Sequence, residues 1–347
     1  MRNILITGGA GFIGVNLAKK LAEKGDTVVV YDNLFRQGTE KNIEWLLNLF
    51  RNVKFIKNDI RSEQGLKEVF TENGPFDVVF HLAAQVTVTK SVVYPALDFE
   101  LNAKGTFNVL EAFRKFSPKS IFLYSSTNKV YGKMDYCTVI ERDGRYIYRD
   151  YPHGVSEDIT LDFHSPYGCS KGCADQYTID YSRIYGLKTI VLRQSCIYGY
   201  RQFGMEDQGW VAWFTIAALF DKDIVIYGDG KQVRDTLFID DLINAYEMAV
   251  DNINITSGKA YNIGGCDFNM SLLELIAHLE NIYNKKIIYS FSDWRPGDQR
   301  VFIADIKKAE KDFGWKPVID VKTGIRKLAQ WIGENRDLFV EAGIIKV

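Results

Sequence analysis

The sequence predicts an α/β protein built on a doubly wound parallel sheet, with a smaller mixed α/β lobe toward the C-terminus. Short apolar runs alternate with amphipathic helical segments, and the first run leads directly into a glycine-rich turn. After about residue 200 the pattern loosens and becomes rich in aromatic residues, which predicts the lobe. We therefore expect one domain over 1–199, with later segments returning to it, and a second mainly over 200–347. The predicted strands of the sheet are 3–7, 27–31, 53–57, 77–81, 120–124 and 188–192.

Composition is typical of an enzyme that acts on small molecules. The chain has 347 residues, of which 46% are hydrophobic and 25% charged, and its net charge is −1. That charge gives no bulk electrostatic reason to bind nucleic acid or a membrane surface. No apolar run approaches the roughly 20 residues of a membrane span. The strand pattern begins at Asn3, which leaves no room for a signal peptide, so a cytoplasmic location is the default expectation.

The cysteines and histidines predict neither disulfides nor a metal site. The five cysteines are odd in number and contain no CxxC pair, and Cys169 and Cys173 are spaced to pack along one helix. The four histidines show no ligand spacing. We expect no metal.

The first strand enters a turn that is typical of dinucleotide binding. Its glycines allow a tight turn, close approach of the backbone to a pyrophosphate, and close packing of helix on strand. The N-terminus of the following helix, which we expect to run to about Gly25, favours the anion. This arrangement is that of a Rossmann-type sheet. The residues that we expect to contact the cofactor here are Gly8, Gly11, Phe12, Ile13 and Gly14.

Asp32 ends the second strand, about twenty residues after the glycines, where a carboxylate accepts hydrogen bonds from the adenosine ribose. A carboxylate there repels a 2′-phosphate, so NAD is favoured over NADP, although Arg36 lies near in sequence. We expect Asp32 and Asn33 to bind NAD. The alternative for Asp32 is an ordinary turn residue at the end of a strand.

Two further strand ends are expected to border the cofactor. The third strand leads into Asp59 and Ile60, which would edge the adenine, and the fourth leads into Ala83 and Ala84. The small alanine side chains leave space for the cofactor to cross the sheet edge. Plain packing is the alternative for the alanines. Gln85, the next residue, is expected to contact the substrate.

A tyrosine and a lysine four residues apart predict acid–base chemistry. Tyr167 and Lys171 share one face of a helix expected over 167–185, so the ammonium favours the phenolate. Lowering a phenol pKa from about 10 to near 7 requires roughly 4 kcal/mol, which a lysine and a positive nicotinamide together can supply. Thr127 follows the fifth strand, where its hydroxyl can hold the reacting oxygen or relay a proton. The alternative for Tyr167 and Lys171 is an ordinary exposed helix face, and the alternative for Thr127 is a cap of the next turn.

These features resemble the extended short-chain dehydrogenase/reductase family over essentially the whole chain. The resemblance implies NAD in the N-terminal domain, a nucleotide-diphosphate sugar in the lobe, and catalysis by Thr127, Tyr167 and Lys171. It also implies a homo-oligomer, either dimer or tetramer, formed through helices around 101–116 and 167–185. The motifs that carry it are the glycine turn, Ser125-Ser126-Thr127, the YxxxK pair, Gly228-Asp229-Gly230 and Arg234-Asp235.

The two residues that directly follow Thr127 distinguish the reactions catalysed within that family. Its dehydratases carry Asp-Glu there, because elimination of water needs an acid and a base, whereas this chain has Asn128-Lys129. The glutamate of the related decarboxylases is also missing, so the resemblance implies an epimerase. Longer strings, including 126–132 and 161–172, resemble the epimerases that invert C2 of a CDP-linked 3,6-dideoxyhexose.

The implied substrate is therefore a CDP-sugar, and the implied role is in lipopolysaccharide O-antigen synthesis. Three alternatives stay open: an epimerase of another nucleotide sugar such as a UDP-sugar 4-epimerase, an oxidoreductase that releases a keto sugar, and a non-catalytic nucleotide-binding protein.

The resemblance also assigns substrate contacts in the lobe. Guanidinium forks match phosphate oxygens, so Arg234, Arg295 and Arg300 suit a diphosphate and Asp298 suits a ribose, with surface ion pairs as the alternative. Cys196 stands where many relatives have an asparagine near the sugar. The other expected substrate contacts are Asn128, Lys129, Arg201, Gln208, Gly209 and Gln232. For Asn128 and Lys129 the alternative is a polar loop.

Three segments of the lobe carry structural expectations. Residues 224–230 have a hairpin-like pattern. Residues 133–163 are too long for a plain connection and are expected to form a flap over the sugar or a subunit contact. Aromatic residues between 203 and 214 are expected either in the core or as flat walls for a base or deoxysugar.

Overall fold

The computed structural model describes residues 1–295 and 298–345. Its strands are β1 (Asn3–Thr7), β2 (Thr27–Asp32), β3 (Val53–Lys57), β4 (Val78–His81), β5 (Ile121–Thr127), β6 (Val139–Arg142), β7 (Arg145–Tyr148), β8 (Lys188–Gln194), β9 (Cys196–Tyr198), β10 (Ile224–Tyr227), β11 (Val233–Phe238), β12 (Lys259–Ile263), β13 (Asn269–Ser271), β14 (Tyr289–Ser292) and β15 (Val301–Phe302). Its α-helices are α1 (Phe12–Glu23), α2 (Thr39–Leu49), α3 (Glu63–Asn73), α4 (Val88–Val93), α5 (Pro95–Phe99), α6 (Gly105–Phe116), α7 (Ser165–Tyr185), α8 (Trp210–Leu219), α9 (Ile239–Asp251), α10 (Ile253–Thr256), α11 (Leu272–Tyr283), α12 (Lys307–Phe313), α13 (Val321–Glu334) and α14 (Arg336–Glu341). A π-helical turn, Glu100–Lys104, leads into α6, and a 3-10 turn, Asn128–Tyr131, follows β5.

The chain forms two compact units. Unit 1 consists of Met1–Thr127, Ser165–Arg193 and Ala245–Tyr261, and unit 2 consists of Asn128–His164, Gln194–Asn244 and Asn262–Val347. The division differs from the expected boundary at residue 199. Residues 128–164 precede that boundary but belong to unit 2. Residues 245–261 return to unit 1, because they lead into β12, which joins its sheet beside β8.

Unit 1 contains the predicted doubly wound sheet. The strand order is β12-β8-β5-β4-β1-β2-β3, and β1 pairs in parallel with both β2 and β4. The chain therefore leaves β1 toward one edge and later returns to its other side, which creates a switch point at the carboxyl ends of β1 and β4. The prediction of an α/β doubly wound fold is confirmed. The fifth strand is longer than expected, since it continues through Thr127.

The core of unit 1 explains why these segments are strands. Leu5, Val79, Phe122 and Val191 are fully buried and belong to one apolar cluster. Because the strands are covered on both faces, their sequences are nearly continuous apolar runs. Each fully buried side chain of this size contributes about 1.5–3 kcal/mol.

The start of α7 is set by local backbone chemistry. Ser165 has a left-handed backbone with φ of 66°, and the next residue is a proline, which suits the first turn of a helix. The Ser165 hydroxyl accepts a hydrogen bond from the Gly168 N–H at 3.2 Å. The helix therefore begins two residues earlier than predicted, with Tyr167 in its first turn.

Unit 2 is a mixed lobe of short sheets and helices. In one sheet, β11 lies between β13 and β15 and also pairs with β9. The hairpin predicted over residues 224–230 is wrong, because β10 pairs in parallel with the distant strand β14. Gly228 and Gly230 both have positive φ and turn the chain away after β10, so β11 forms part of a different sheet.

The insertion at 133–163 contains an antiparallel pair of strands, β6 and β7. The Tyr146 hydroxyl donates to Asp229 at 2.6 Å, and the Tyr148 hydroxyl donates to the Val301 carbonyl at 2.7 Å. Of the aromatic residues between 203 and 214, Phe203 is buried against Phe339, with ring centroids 5.5 Å apart. Part of that aromatic set is therefore core of unit 2.

Across the described part of the chain, no helix is long and apolar enough to cross a membrane. The same residues contain no cluster of histidine, cysteine and carboxylate side chains that could hold a metal ion. The cysteines, all of which are described, form no disulfide.

Candidate active site

The glycine turn after β1 is shaped by close backbone packing. Gly8 has φ of 71°, and a Cβ there would lie 2.6 Å from the Ala83 backbone nitrogen. A Cβ on Gly14 would lie 2.4 Å from the Gly8 carbonyl oxygen. These two glycines therefore allow β1, β4 and α1 to meet, and only glycine fits at either position.

The N-terminus of α1 fits a pyrophosphate. Gly11 is the N-cap residue, and no side chain caps the helix, so the N–H groups of the first turn, including those of Phe12 and Ile13, are not satisfied by a side-chain cap. A Cβ on Gly11 would approach only the Gly8 carbonyl, at 3.2 Å, so the space above this residue is open. Unpaired N–H groups at a helix N-terminus favour an anion. The turn has the features that the sequence predicted for a dinucleotide.

Asp32 organises the loop that follows β2. Its carboxylate accepts hydrogen bonds from the Ala10 N–H at 3.1 Å and the Leu34 N–H at 2.8 Å. Burial raises the pKa of Asp32, while these backbone hydrogen bonds lower it. A carboxylate has about four acceptor sites, so Asp32 keeps the capacity to accept from a ribose hydroxyl as well. Asp32 thus links the glycine turn to the strand end beside it.

Asp59 and Asn33 form a second polar group in unit 1. The Asn33 amide donates to Asp59 at 2.8 Å, and Arg61 forms an ion pair with the same carboxylate at 2.8 Å. Burial alone would raise the pKa of Asp59, but the hydrogen bonds from Arg61 and Asn33 outweigh it and lower the pKa to about 2. Asp59 is therefore ionised throughout the physiological range.

Two residues predicted to touch the cofactor have packing roles. The side chain of Ile60 is buried in the apolar core of unit 1, and a Cβ on Gly105 would lie 2.6 Å from it. Its side chain therefore fills space under α6, so the predicted contact with the adenine is left to its backbone. Ala83 packs against the core, and its backbone lies against Gly8. Ala84 is partly buried beside it.

Unit 1 brings the three predicted catalytic residues to neighbouring elements. Thr127 ends β5, and Tyr167 and Lys171 lie on the first turns of α7, which packs against β5. The Lys171 ammonium donates to the Ser125 carbonyl at 2.6 Å and lies 4.3 Å from the centre of the Tyr124 ring. Burial lowers the pKa of Lys171 to about 7, although the charges of Asp175 and Asp98 raise it. A lysine with this pKa can exchange a proton near neutral pH.

Gln85 does not act as predicted in this structure. Its amide nitrogen donates to the Thr87 carbonyl and to Asp98, both at 2.8 Å. Its amide oxygen accepts from the N–H and the hydroxyl of Thr87. All of its amide groups are used inside unit 1, so none is left for a sugar hydroxyl.

His81 is held neutral beneath the sheet edge. The Thr106 hydroxyl donates to the Asn102 carbonyl at 2.6 Å, so its oxygen accepts from Nε2–H of His81 at 2.9 Å, and Nδ1 accepts from Thr7 at 2.6 Å. Burial, and then the nearby charge of Lys171, lower the pKa of His81 to about 3. The histidine is therefore a fixed polar bridge between β1 and α6.

Unit 2 gathers several of the predicted substrate residues. The Lys129 ammonium donates to the Gln299 amide oxygen at 3.1 Å, and Arg234 forms an ion pair with Asp298. Burial lowers the pKa of Lys129 and raises that of Cys196. The charge of each side chain acts in the opposite direction on the pKa of the other. These five residues therefore form one polar cluster, in which Gln299 was not predicted.

Gln232 presents an acceptor that is not satisfied within the chain. Its amide nitrogen donates to the Tyr227 carbonyl at 2.6 Å. Its amide oxygen is buried and has no hydrogen-bond partner among the described residues. An unsatisfied buried carbonyl costs about 1–3 kcal/mol, and a ligand donor would remove that cost. Gln232 is thus suited to contact a ligand, and its contact with the substrate stays a prediction.

The remaining predicted substrate residues have mixed environments in unit 2. Arg295 stacks on the Tyr227 ring, 3.9 Å from its centre, and donates to the Glu206 carbonyl. Arg201 is buried with a left-handed backbone, and burial lowers its pKa to about 10. Gln208 closes a turn with Met205, and Gly209 is the left-handed N-cap of α8. Asn128 is buried in the 3-10 turn, and Pro296 and Gly297, between Arg295 and Asp298, lie outside the described residues.

Sequence reasoning missed the groups that surround Lys171. Ser125 contributes its backbone carbonyl and Tyr124 its ring face, which no residue pattern distinguishes from ordinary strand positions. Asp98 and Ser170 share a hydrogen bond although they are 72 positions apart in the sequence. The only local signal was the polar Ser170 directly before the lysine. Contacts of this range depend on how α5 and α7 pack.

Comparison with known proteins agrees with this arrangement. A family model described as GDP-mannose 4,6 dehydratase matches residues 5–328. The CDP-paratose 2-epimerase of Salmonella typhi is 46% identical over 334 residues, which are 94% of this chain and 98% of that protein. The solved UDP-glucose 4-epimerase of Thermotoga maritima, with UDP-glucose, has a TM-score of 0.83 at 32% identity and covers 96% of this chain and 99% of its own.

A second solved structure, the UDP-glucuronic acid 4-epimerase of Bacillus cereus in complex with UDP-glucuronic acid and NAD, has a TM-score of 0.81 at 30% identity. It covers 95% of this chain and 99% of its own. The relatives are thus nucleotide-sugar epimerases and dehydratases, matched along nearly their full length. The chain belongs to the family described as GDP-mannose 4,6 dehydratase, within the extended short-chain dehydrogenases/reductases.

Proposed function

We propose that the protein is an NAD-dependent epimerase that inverts C2 of a CDP-linked 3,6-dideoxyhexose, converting CDP-paratose to CDP-tyvelose. The observation that carries the proposal is the 46% identity to the CDP-paratose 2-epimerase of Salmonella typhi over 94% of this chain. The geometry of unit 1 supports it, because Thr127, Tyr167 and Lys171 lie beside a glycine turn suited to NAD. A cytoplasmic location and a part in O-antigen synthesis remain predictions.

The reaction must begin with an oxidation. Paratose has a hydroxyl at C2 and no neighbouring carbonyl, so its C2 hydrogen is too weakly acidic for direct removal by a protein base. Tyr167, as the phenolate, takes the proton of the C2 hydroxyl either directly or through Thr127. Bound NAD would accept the C2 hydride and return it to the opposite face. Tyr167 then returns the proton, and the net redox change is zero.

Lys171 has two tasks in this scheme. As an ammonium it lowers the pKa of the Tyr167 phenol, and it holds the nicotinamide ribose. Its buried position, with a backbone carbonyl and an aromatic ring as its partners, keeps the charge away from water on the same helix face as the phenol. Loss of this ammonium should therefore abolish most turnover.

Dehydration is the less favoured reaction. Elimination needs an acid and a base beyond the tyrosine, and Asn128 and Lys129 follow Thr127 where the dehydratases of the family carry Asp-Glu. Lys129 and its cluster supply hydrogen-bond donors and charge to a nucleotide sugar. Arg234 and Asp298, which form an ion pair, are suited to a diphosphate and a ribose.

The test is a proton NMR time course of CDP-paratose with purified protein, without added NAD and in D2O. Formation of CDP-tyvelose with hydrogen retained at C2 is the expected result, because the hydride never exchanges with solvent. Deuterium at C2 would contradict the oxidation step. A need for stoichiometric NAD would indicate an oxidoreductase that releases a keto sugar. Conversion of UDP-glucose in place of CDP-paratose would favour a 4-epimerase.

Two tyrosine variants provide the matched control. Tyr167→Phe should lower the rate by about 10²–10⁴, the usual contribution of a general acid–base group. Tyr177→Phe changes the same atom on an exposed position of α7 and keeps its ring contacts, so its rate should equal that of wild type. Equal rates for both variants would remove Tyr167 from the mechanism.

We also propose that the protein is a homo-oligomer formed through α6 and α7. A row of aromatic rings runs along these helices, in which Phe107 and Tyr177 are in edge contact at 5.9 Å, the buried Tyr181 packs beside Tyr177, and the exposed Tyr185 follows. Phe107 and Tyr177 are each more than a third exposed. A second copy of the chain would bury this surface.

A further inference from the structure

The interior of unit 1 near α7 contains four buried charged side chains, which are Asp98, Lys171, Asp175 and Arg193. Each is at most 4% exposed. Buried charges are costly unless opposite charges compensate them. How these four compensate one another therefore determines the protonation state of the lysine.

Asp175 and Arg193 compensate each other. The guanidinium donates to the two carboxylate oxygens from two nitrogens, both at 3.0 Å, and Ser126 adds a hydrogen bond at 2.7 Å. This bidentate pair is neutral as a whole. One carboxylate and one ammonium then remain.

Asp98 has only neutral donors. Its carboxylate accepts from Gln85 at 2.8 Å, from Asn102 at 3.2 Å and from the hydroxyl of Ser170. Within 1–295 and 298–345, no cation forms an ion pair with it. Its negative charge is therefore solvated by hydrogen bonds but is not balanced by a directly bonded cation.

Lys171 is a buried cation that has no carboxylate bonded to it among the described residues. Its ammonium has a carbonyl and an aromatic ring as partners, and no carboxylate of the described residues forms an ion pair with it. Ser170, which precedes it on α7, donates a hydrogen bond from its hydroxyl to the Asp98 carboxylate. We propose that Asp98 is the counter-charge that keeps Lys171 protonated, and that it acts as a positioning residue for the reaction through this lysine.

The other groups that face Lys171 differ from Asp98 in charge or in pairing. Burial keeps Tyr124 on β5 a phenol, and His81 on β4 is neutral in its hydrogen-bonded bridge. Tyr167 on α7 carries a negative charge only as the phenolate of the proposed reaction, so it is not a permanent counter-charge. The charge of Asp175 raises the pKa of Lys171 more than that of Asp98 does, but Asp175 is already paired with Arg193, whereas Asp98 has no cation bonded to it. Burial raises the pKa of Asp98, whereas its hydrogen bonds from Ser170 and Gln85 and the charge of Lys171 lower it. The charge of Asp98 in turn raises the pKa of Lys171.

The kinetic test rests on the proposed function and uses the pH dependence of kcat/KM. Removing the charge by Asp98→Asn should move the alkaline limb, where Lys171 loses its proton, to lower pH by about one unit or more. Ser170→Ala removes a hydrogen bond but keeps the carboxylate, so its alkaline limb should stay where it is in wild type. A purely structural role would lower the rate at every pH. An unmoved limb in Asp98→Asn, or equal shifts in both variants, would overturn the proposal.

The second test measures unfolding and requires no activity. Lys171→Met leaves Asp98 without its counter-charge, so Asp98→Asn should destabilise the protein less in that variant than in wild type. If Asp98→Asn does not fold, Lys171→Met alone is informative. The difference between its urea midpoint and that of wild type should become more favourable to the variant as pH falls from 7 to 5. The reason is that protonation of Asp98 then removes an unbalanced charge.

The two tests separate the proposals. Asp98→Asn and Lys171→Met could have additive effects on stability, and the urea midpoints of Lys171→Met and wild type could change in parallel with pH. Together these results would mean that Asp98 is neutral or too distant to act on the lysine. If the wild-type protein does not epimerise CDP-paratose while the coupling is present, the proposed substrate is wrong and the role of Asp98 stands.

Discussion

Three glycine-to-alanine substitutions separate the structural and cofactor-binding roles of the turn after β1. Gly11→Ala is the informative change. Gly11 has φ of −68°, which any residue adopts, and its added methyl would approach only the Gly8 carbonyl, at 3.2 Å. We expect a loss of stability below about 1 kcal/mol. The methyl would, however, occupy the space above the N-terminus of α1, so retention of NAD should be lost.

Gly8→Ala and Gly25→Ala calibrate this result. At Gly8, a left-handed φ of 71° costs an alanine about 1–2 kcal/mol, and the clash with the Ala83 backbone adds about 1–3 kcal/mol. Gly25 has φ of 86° with no atom within 4 Å of the added methyl, so only the first cost of about 1–2 kcal/mol applies. Gly25→Ala should keep its NAD, and Gly8→Ala should lose both stability and NAD.

The assay combines urea unfolding with the amount of NAD released per chain after acid denaturation. The expected order of destabilisation is Gly8→Ala, then Gly25→Ala, then Gly11→Ala, whereas NAD should be lost from Gly8→Ala and Gly11→Ala only. Full NAD content in purified Gly11→Ala would refute the assignment of this turn to the pyrophosphate. Equal unfolding of Gly8→Ala and Gly25→Ala would refute the clash with Ala83.

The other predictions concern stability and assembly. The depressed pKa of Asp59 adds stability that is present above about pH 4 and is lost as pH falls through about 2, so Asp59→Asn should cost about 1–2 kcal/mol at pH 7 and much less at pH 2, measured by urea unfolding. Asp175→Ala removes the carboxylate that pairs with the buried Arg193 and should cost about 3–5 kcal/mol. Asp150→Ala breaks an exposed pair with Arg149 and should leave the urea midpoint unchanged; similar midpoints for the two variants would contradict the buried ion pair. Phe107→Glu should convert the oligomer to monomer in light scattering, whereas Phe291→Glu, at an exposed position of unit 2, should not; an unchanged mass for Phe107→Glu would place the interface elsewhere.

The sequence determined the architecture of unit 1 because its signals are local. Continuous apolar runs require strands that are covered on both faces, and Gly8 and Gly14 stand where only glycine avoids a clash. The spacing of Tyr167 and Lys171 fixes both on one face of a helix whatever that helix packs against. These features were predictable because each depends on a few consecutive residues.

The tertiary structure alone decided which distant groups meet. The pairing of β10 with β14, the ion pair of Arg234 with Asp298, and the hydrogen bond between Asp98 and Ser170 each join segments at least 60 residues apart. Gln85 follows a strand end, which suggested a ligand contact, but the packing of α5 brings Asp98 to it and uses its amide. Such contacts depend on the relative placement of whole elements, and burial then gives them their energetic weight. The protonation of Lys171 is therefore a property of the folded interior, although the lysine itself was evident from the sequence.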